Sequence, residues 1–164
     1  MNRNKIRFTV NAAAVAAVYV VLTYLSYLLG LDKGAVQLRF SEALTILPIF
    51  MPSAVPGLFV GCILSNLFTG GAVWDIVFGS LATLIGAFFT RKLRTKPLLA
   101  LLPPIIANTV IIPPMIRLVY GSETALPLIF LTVGIGEVLS CGVFGYILYR
   151  ILLKNPLFAK GKLI

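Results

Sequence analysis

The chain has 164 residues, of which 59% are hydrophobic and 12% charged, with a net charge of +9 and a mean hydropathy of +1.01. Apolar runs this long have no place in a soluble domain, so the sequence reads as an integral membrane protein. At about 20 residues per span, it leaves no room for a soluble catalytic or nucleotide-binding domain. Histidine is absent, which excludes imidazole catalysis and His-ligated metal sites; no metal and no cofactor are expected. Cys62 and Cys141 lie inside apolar segments without C-x-x-C spacing and read as small packing residues.

The basic residues cluster in three places. Arg3, Lys5 and Arg7 lead the chain, Arg91, Lys92, Arg94 and Lys96 sit together, and Arg150, Lys154, Lys160 and Lys162 close it. They flank apolar spans instead of forming one stripe, so contact with anionic lipid of the bilayer accounts for them and nucleic-acid binding does not. In chain order, the first apolar block is 10–29. The run from Phe8 to Leu29 exceeds a signal-peptide core, and Leu25 to Leu31 offers no small-x-small cleavage site, so a retained first helix is expected. The block 43–69 is interrupted by Pro52, Pro56 and Gly57, and a tight turn from Pro52 to Gly57 divides it into a short helix 43–51 and a longer one 57–69. Blocks 73–90, 98–119 and 125–150 complete six crossings.

Parity decides the count. Five crossings would place the two terminal basic clusters on opposite sides, against the tendency of cytoplasmic loops to hold Lys and Arg. Six put both termini and the Arg91–Lys96 loop inside, leaving only Lys33, Arg39 and Arg117 outside. The expectation is a single all-α domain over 1–164 with six transmembrane helices and cytoplasmic N- and C-termini. Pro103, Pro104, Pro113 and Pro114 predict that the fifth helix is bent or broken.

On this topology, Glu42, Asn66 and Asp75 fall at the outer ends of helices, Asn108 and Glu137 near mid-membrane, and the inner half has no acidic residue. A carboxylate at a helix centre costs roughly 2.5–3.5 kcal/mol on insertion scales. Glu137 therefore either pairs with Arg39 or Arg117 or faces a cavity. Glu42 and Asp75 have capping of helix starts as an alternative, and the two amides have cross-helix bonding. Together they outline an outward-facing pocket for a small, donor-rich molecule. Trp74, Tyr24, Tyr27 and Tyr120 form an interfacial belt or stack on a planar ligand. Ala12, Ala13, Ala16 and Ala17 make a small-residue stripe on the first helix, for internal packing or for a separate subunit; Gly79, Thr83 and Ala87 repeat the pattern on the fourth, Gly136 and Ser140 on the sixth.

Four stretches carry a resemblance: Gln37-Leu-Arg-Phe-Ser-Glu-Ala-Leu-Thr45, Pro56-Gly-Leu-Phe-Val-Gly-Cys62 followed by Asn66, Asp75-Ile-Val-Phe-Gly-Ser-Leu-Ala-Thr-Leu84, and Pro103-Pro-Ile-Ile-Ala-Asn108. In combination they resemble the QueT family of queuosine-precursor transporters, substrate-binding S components of energy-coupling factor (ECF) transporters. The resemblance implies a multi-pass protein of the bacterial plasma membrane that binds a deazaguanine-type base from outside. It also implies as partners an ECF transmembrane coupling subunit and two ATPase subunits. The expected substrate-binding residues are Glu137, Asn108, Glu42, Asp75, Asn66 and Arg39, and the expected partner interface is Ala12, Ala13, Ala16 and Ala17. A deazaguanine presents amide and amine donors that suit Glu and Asn acceptors, and a cationic aminomethyl group would want a second carboxylate. The chain has no G-x-x-x-x-G-K-[ST] loop, so ATP hydrolysis must come from a partner. The alternative is a stand-alone secondary transporter or channel, whose inverted repeats and polar path inward are missing. No nucleophile and base are matched on facing helices, so no enzyme is expected.

Overall fold

The computed structural model describes residues 2–31 and 36–159, so Lys33, Lys160 and Lys162 lie outside the described residues. Every regular element among the described residues is helical. Helix α1 (Arg3–Leu28) is opened by Asn2, whose side-chain oxygen accepts from the Asn4 amide at 3.2 Å. A 3₁₀ helix (Phe40–Ile49) follows, then α2 (Ala54–Phe68), α3 (Val73–Lys92), a 3₁₀ turn (Leu99–Leu101) and α4 (Leu102–Val119). Helix α5 (Leu126–Glu137) runs through a π-helical stretch (Val138–Phe144) into α6 (Gly145–Leu153), and a short α7 (Pro156–Ala159) ends the described chain. Four rods are long and apolar enough to cross a membrane: Arg3–Leu28, Val73–Lys92, Leu99–Val119 and Leu126–Leu153. The molecule is a multi-pass membrane protein in which the 3₁₀ helix and α2 are the shorter apolar pieces.

Three elements differ from the sequence expectation for identifiable reasons. The second helix is a 3₁₀ helix of 10 residues that begins at Phe40. Pro48 has no N–H to donate, and the Thr45 hydroxyl donates to the Glu42 carbonyl at 2.6 Å, competing with regular α-helical bonding. At about 2.0 Å of rise per residue, such a helix covers roughly 20 Å, further than an α-helix of equal length. Second, α2 starts at Ala54, so Pro56 falls in its first turn, where the missing N–H is harmless. Third, α4 continues unbroken through Pro113 and Pro114. The irregular backbone sits instead in the last rod, immediately after Glu137.

Glycines set how closely the rods approach. A Cβ on Gly57 would stand 2.6 Å from the Ala12 carbonyl oxygen, and one on Gly61 would stand 2.8 Å from the Tyr19 Cβ and 3.1 Å from the Ala16 Cα. Helices α1 and α2 thus meet backbone to backbone. This divides the alanine stripe: Ala16 is buried and Ala12 half-buried at the α2 contact, while Ala13 and Ala17 are exposed. Gly86 similarly admits Pro104, joining α3 to α4. Around these contacts Val15, Tyr19, Leu47, Met51, Leu58 and Ala87 form the core.

The direction of each rod sorts the charges. Ala12 beside Gly57, Arg91 beside Pro48 and Ile49, and Phe50 beside Tyr149 fix the starts of α1, α2 and α4 and the ends of α3 and α6 at one end of the bundle. That end carries Arg3, Lys5, Arg7, Arg91, Lys92, Arg94, Lys96, Arg150 and Lys154, whereas Arg39 and Arg117 lie towards the other, marked by Trp74. Leu99–Val119 is long and apolar enough to cross a membrane, so single cysteines at Lys96 and Glu123 are expected to react with a membrane-impermeant maleimide from opposite faces of sealed vesicles. Labelling of both from one face would remove this helix as a crossing.

Candidate functional site

The segment Gln37–Glu42 is clamped between the first and last rods. On α1, Tyr19, Thr23 and Ser26 recur at helical spacing and face it. The Phe40 amide donates to Ser26 Oγ at 2.9 Å, the Thr23 and Ser41 hydroxyls lie 2.7 Å apart, and the Tyr19 hydroxyl donates to Glu42 Oε1. On the last rod, a Cβ on Gly136 would collide with the Gln37 carbonyl, so only glycine admits the segment there. Four residues on, Ser140 Oγ accepts from the Arg39 amide at 3.2 Å. This clamp aims Arg39 and Glu42 into the interior.

A cavity of about 280 Å³ opens beside it. Its lining includes Arg39, Glu42, Cys62, Thr83, Asn108 and Glu137 in its depth, with Asp75 and Tyr120 towards the Trp74 end. Asn108 donates to Glu137 Oε2 at 3.2 Å. The Cys141 sulfur lies 3.2 Å from the same oxygen and 3.9 Å from Glu42 Oε2, so it stands between the two carboxyl groups, with Thr45 Oγ1 3.5 Å away. Arg39 is within electrostatic reach of both acids. At the Trp74 end, Asp75 Oδ2 accepts from the Ala72 amide at 3.2 Å and from the Tyr120 hydroxyl, linking the start of α3 to the end of α4. Partial burial, together with the adjacent Asp75 carboxylate, pushes the Tyr120 hydroxyl up to about 12, so it remains a donor at neutral pH.

Five of the six expected site residues, Glu137, Asn108, Glu42, Asp75 and Arg39, line this one cavity. Asn66 stands behind the wall: it is buried, and its amide turns back to the Cys62 carbonyl at 3.0 Å and the Cys62 sulfur at 3.5 Å. Arg117 donates to the Ser122 and Thr124 carbonyls in the loop after α4, so the hydrogen-bond partners of Glu137 are Asn108 and Cys141 instead. Of the aromatics, Tyr120 lines the cavity, while Tyr24 stacks on Tyr27 and Trp74 on Phe78. Sequence reasoning missed the polar stripe Tyr19, Thr23, Ser26, although its i, i+4, i+7 spacing was visible. It also treated both cysteines as packing, whereas Cys62 lines the cavity and Cys141 sits between its acids.

The chemistry follows from the inventory. Two carboxylates, an amide and a guanidinium in one enclosed space can recognise a compact molecule bearing several donors and at least one acceptor. A second, more open groove of about 530 Å³ between α4 and the last rod is lined by Ile106, Val110, Leu131, Ile135 and Val138 and has almost nothing polar to orient a solute.

The queuosine precursor transporter QueT of Lactococcus lactis subsp. cremoris (strain MG1363) is 34% identical over 85 residues, which cover 52% of this chain and 50% of the relative. The chain thus matches about half the length of that protein. No solved structure matches. The model of the QueT transporter family matches residues 9–154, which contain every residue that lines the cavity. The chain belongs to the QueT transporter family, whose members are transporters and not enzymes.

Proposed function

We propose that this chain is the substrate-binding S component of an ECF-type, ATP-driven uptake transporter for a queuosine precursor, and that it takes a deazaguanine-type base from outside a bacterial plasma membrane. The observation that carries the reading is the placement of charge: three of the chain's five acidic residues, with Asn108 and Arg39, line one cavity inside an otherwise apolar bundle. Buried ionisable groups in a membrane protein are costly, so their convergence marks a functional site. At about 280 Å³, the cavity suits one small heterocycle. Glu42 and Glu137 accept the ring donors or a cationic aminomethyl group, Asn108 adds an amide, Arg39 meets a ring carbonyl, and Asp75 with Tyr120 borders the entrance. Asn66 supports the wall through Cys62. The basic end of the bundle faces the cytoplasm, and Lys96 is labelled from that side.

Glu137→Gln tests the site, since it keeps the size but puts an amide N–H where a carboxyl oxygen accepts. Hydrogen bonds to charged groups contribute roughly 1.5–3 kcal/mol, so affinity for a deazaguanine base falls about 10- to 150-fold. The fold survives, because Gln is less costly in lipid than Glu. Calorimetry on the purified variant measures this, and wild-type affinity would make Glu137 a purely structural member of the cluster.

The sequence lacks a phosphate-binding loop, so two ATPase subunits reach this chain through a coupling subunit. Ala12 and Ala16 are committed to α2, which leaves Ala13 and Ala17 as the exposed small-residue face for close helix approach. Replacing both Ala13 and Ala17 with Leu is expected to abolish co-isolation of the ATPase module while base binding stays unchanged. Undiminished co-isolation would place the coupling surface elsewhere. A stand-alone transporter would co-isolate no ATPase in either form.

A further inference from the structure

We propose that Tyr19, which does not line the cavity, is a positioning residue for substrate: its hydroxyl fixes the carboxylate of Glu42 in the orientation that receives the ligand. The inference rests on the reading of the cavity as the base-binding site. Tyr19 is fully buried, and its hydroxyl donates to Glu42 Oε1. The ring cannot swing aside, because its Cβ is seated where Gly61 leaves room for it and its body belongs to the core. With Oε1 held from the α1 side, Oε2 is turned towards the last rod, where Cys141 Sγ lies 3.9 Å away and Glu137 beyond it.

The backbone below Glu42 is held independently. The Phe40 amide is anchored on Ser26, the Arg39 amide on Ser140 and the Ser41 hydroxyl on Thr23. Removing the phenol hydroxyl therefore releases Oε1 of Glu42, leaving only the weak Cys141 contact on Oε2, without releasing the segment that carries it. A freed carboxylate has to surrender rotamer entropy again each time substrate binds. Tyr19 thus acts through Glu42 without touching the ligand, and it makes the first helix, which the Ala13 and Ala17 face also belongs to, part of the binding site's support.

The test is a double-mutant cycle on the purified full chain, read by equilibrium binding of the aminomethyl deazaguanine base. Tyr19→Phe keeps the ring in its seat and removes the donor, and affinity is expected to fall about ten-fold. Glu42→Asp keeps the charge but withdraws it by one methylene from the phenol. In that background, Tyr19→Phe is expected to add less than about a two-fold further loss, because the link is already broken. A further ten-fold loss in the Asp background would show a role independent of Glu42 and overturn the proposal, as would wild-type affinity of the Tyr19→Phe variant. Failure of the wild-type chain to bind the base would refute the function proposed for the cavity, a result separable from any difference between variants.

Discussion

A carboxyl group inside an apolar bundle needs partners for its oxygens, and this requirement organises the molecule. Glu42 is 3% exposed, on a short helix among rods long and apolar enough to cross a membrane, with a Glu137 oxygen within 4.8 Å of its own. Like charges at that depth repel and lose hydration together. Donors arrive from several elements: Tyr19 from α1, Asn108 from α4 and Cys141 from the π-helical stretch, with Arg39 supplying the opposite charge from the connecting segment. Two glycines admit the segments that carry these groups: Gly61 leaves room for the Tyr19 Cβ, and Gly136 for the Gln37 carbonyl, two residues before Arg39.

The irregular helices serve the same requirement. A regular α-helix from Phe40 to Ile49 would be shorter, and its first turn would then be drawn away from Ser26 and Ser140. The last rod winds more loosely just beyond Glu137, and Ser140 and Cys141 lie on that loosened turn, facing the Arg39 amide and the two carboxylates respectively. Wide turns of this kind recur at functional sites because they redirect side chains without ending a helix. Helix α1 contributes on two faces at once. One carries Tyr19, Thr23 and Ser26 into the clamp; another leaves Ala13 and Ala17 exposed.

Much of this was legible in the residues. Long apolar blocks and clustered Lys and Arg foretell a multi-pass helical protein, and the sorting of basic residues to one end follows from helix direction alone. The cost of burying Glu137 pointed to a pocket shared with Asn108, whereas Glu42, read from the sequence as bordering the outer mouth, is buried in the depth of the cavity. What stayed hidden depended on geometry that composition does not encode. Pro56 reads as a breaker until its position in a first turn is known, and Pro113 and Pro114 do not interrupt α4. Asn66 is as polar as Asn108, but its position on α2 turns it towards Cys62 instead of the cavity. Tyr19 was overlooked because a tyrosine in an apolar helix reads as packing until its partner, 23 residues further on, is in place.

The central claim is that the cavity between Glu42 and Glu137 holds one base without help from any other subunit. Titration of the isolated chain in detergent, free of any ATPase, with the aminomethyl deazaguanine base measures this most directly. The account predicts saturable binding of one base per chain, displaced by excess cyano-substituted precursor of the same ring. No saturable heat of binding from a folded, monodisperse preparation would contradict it.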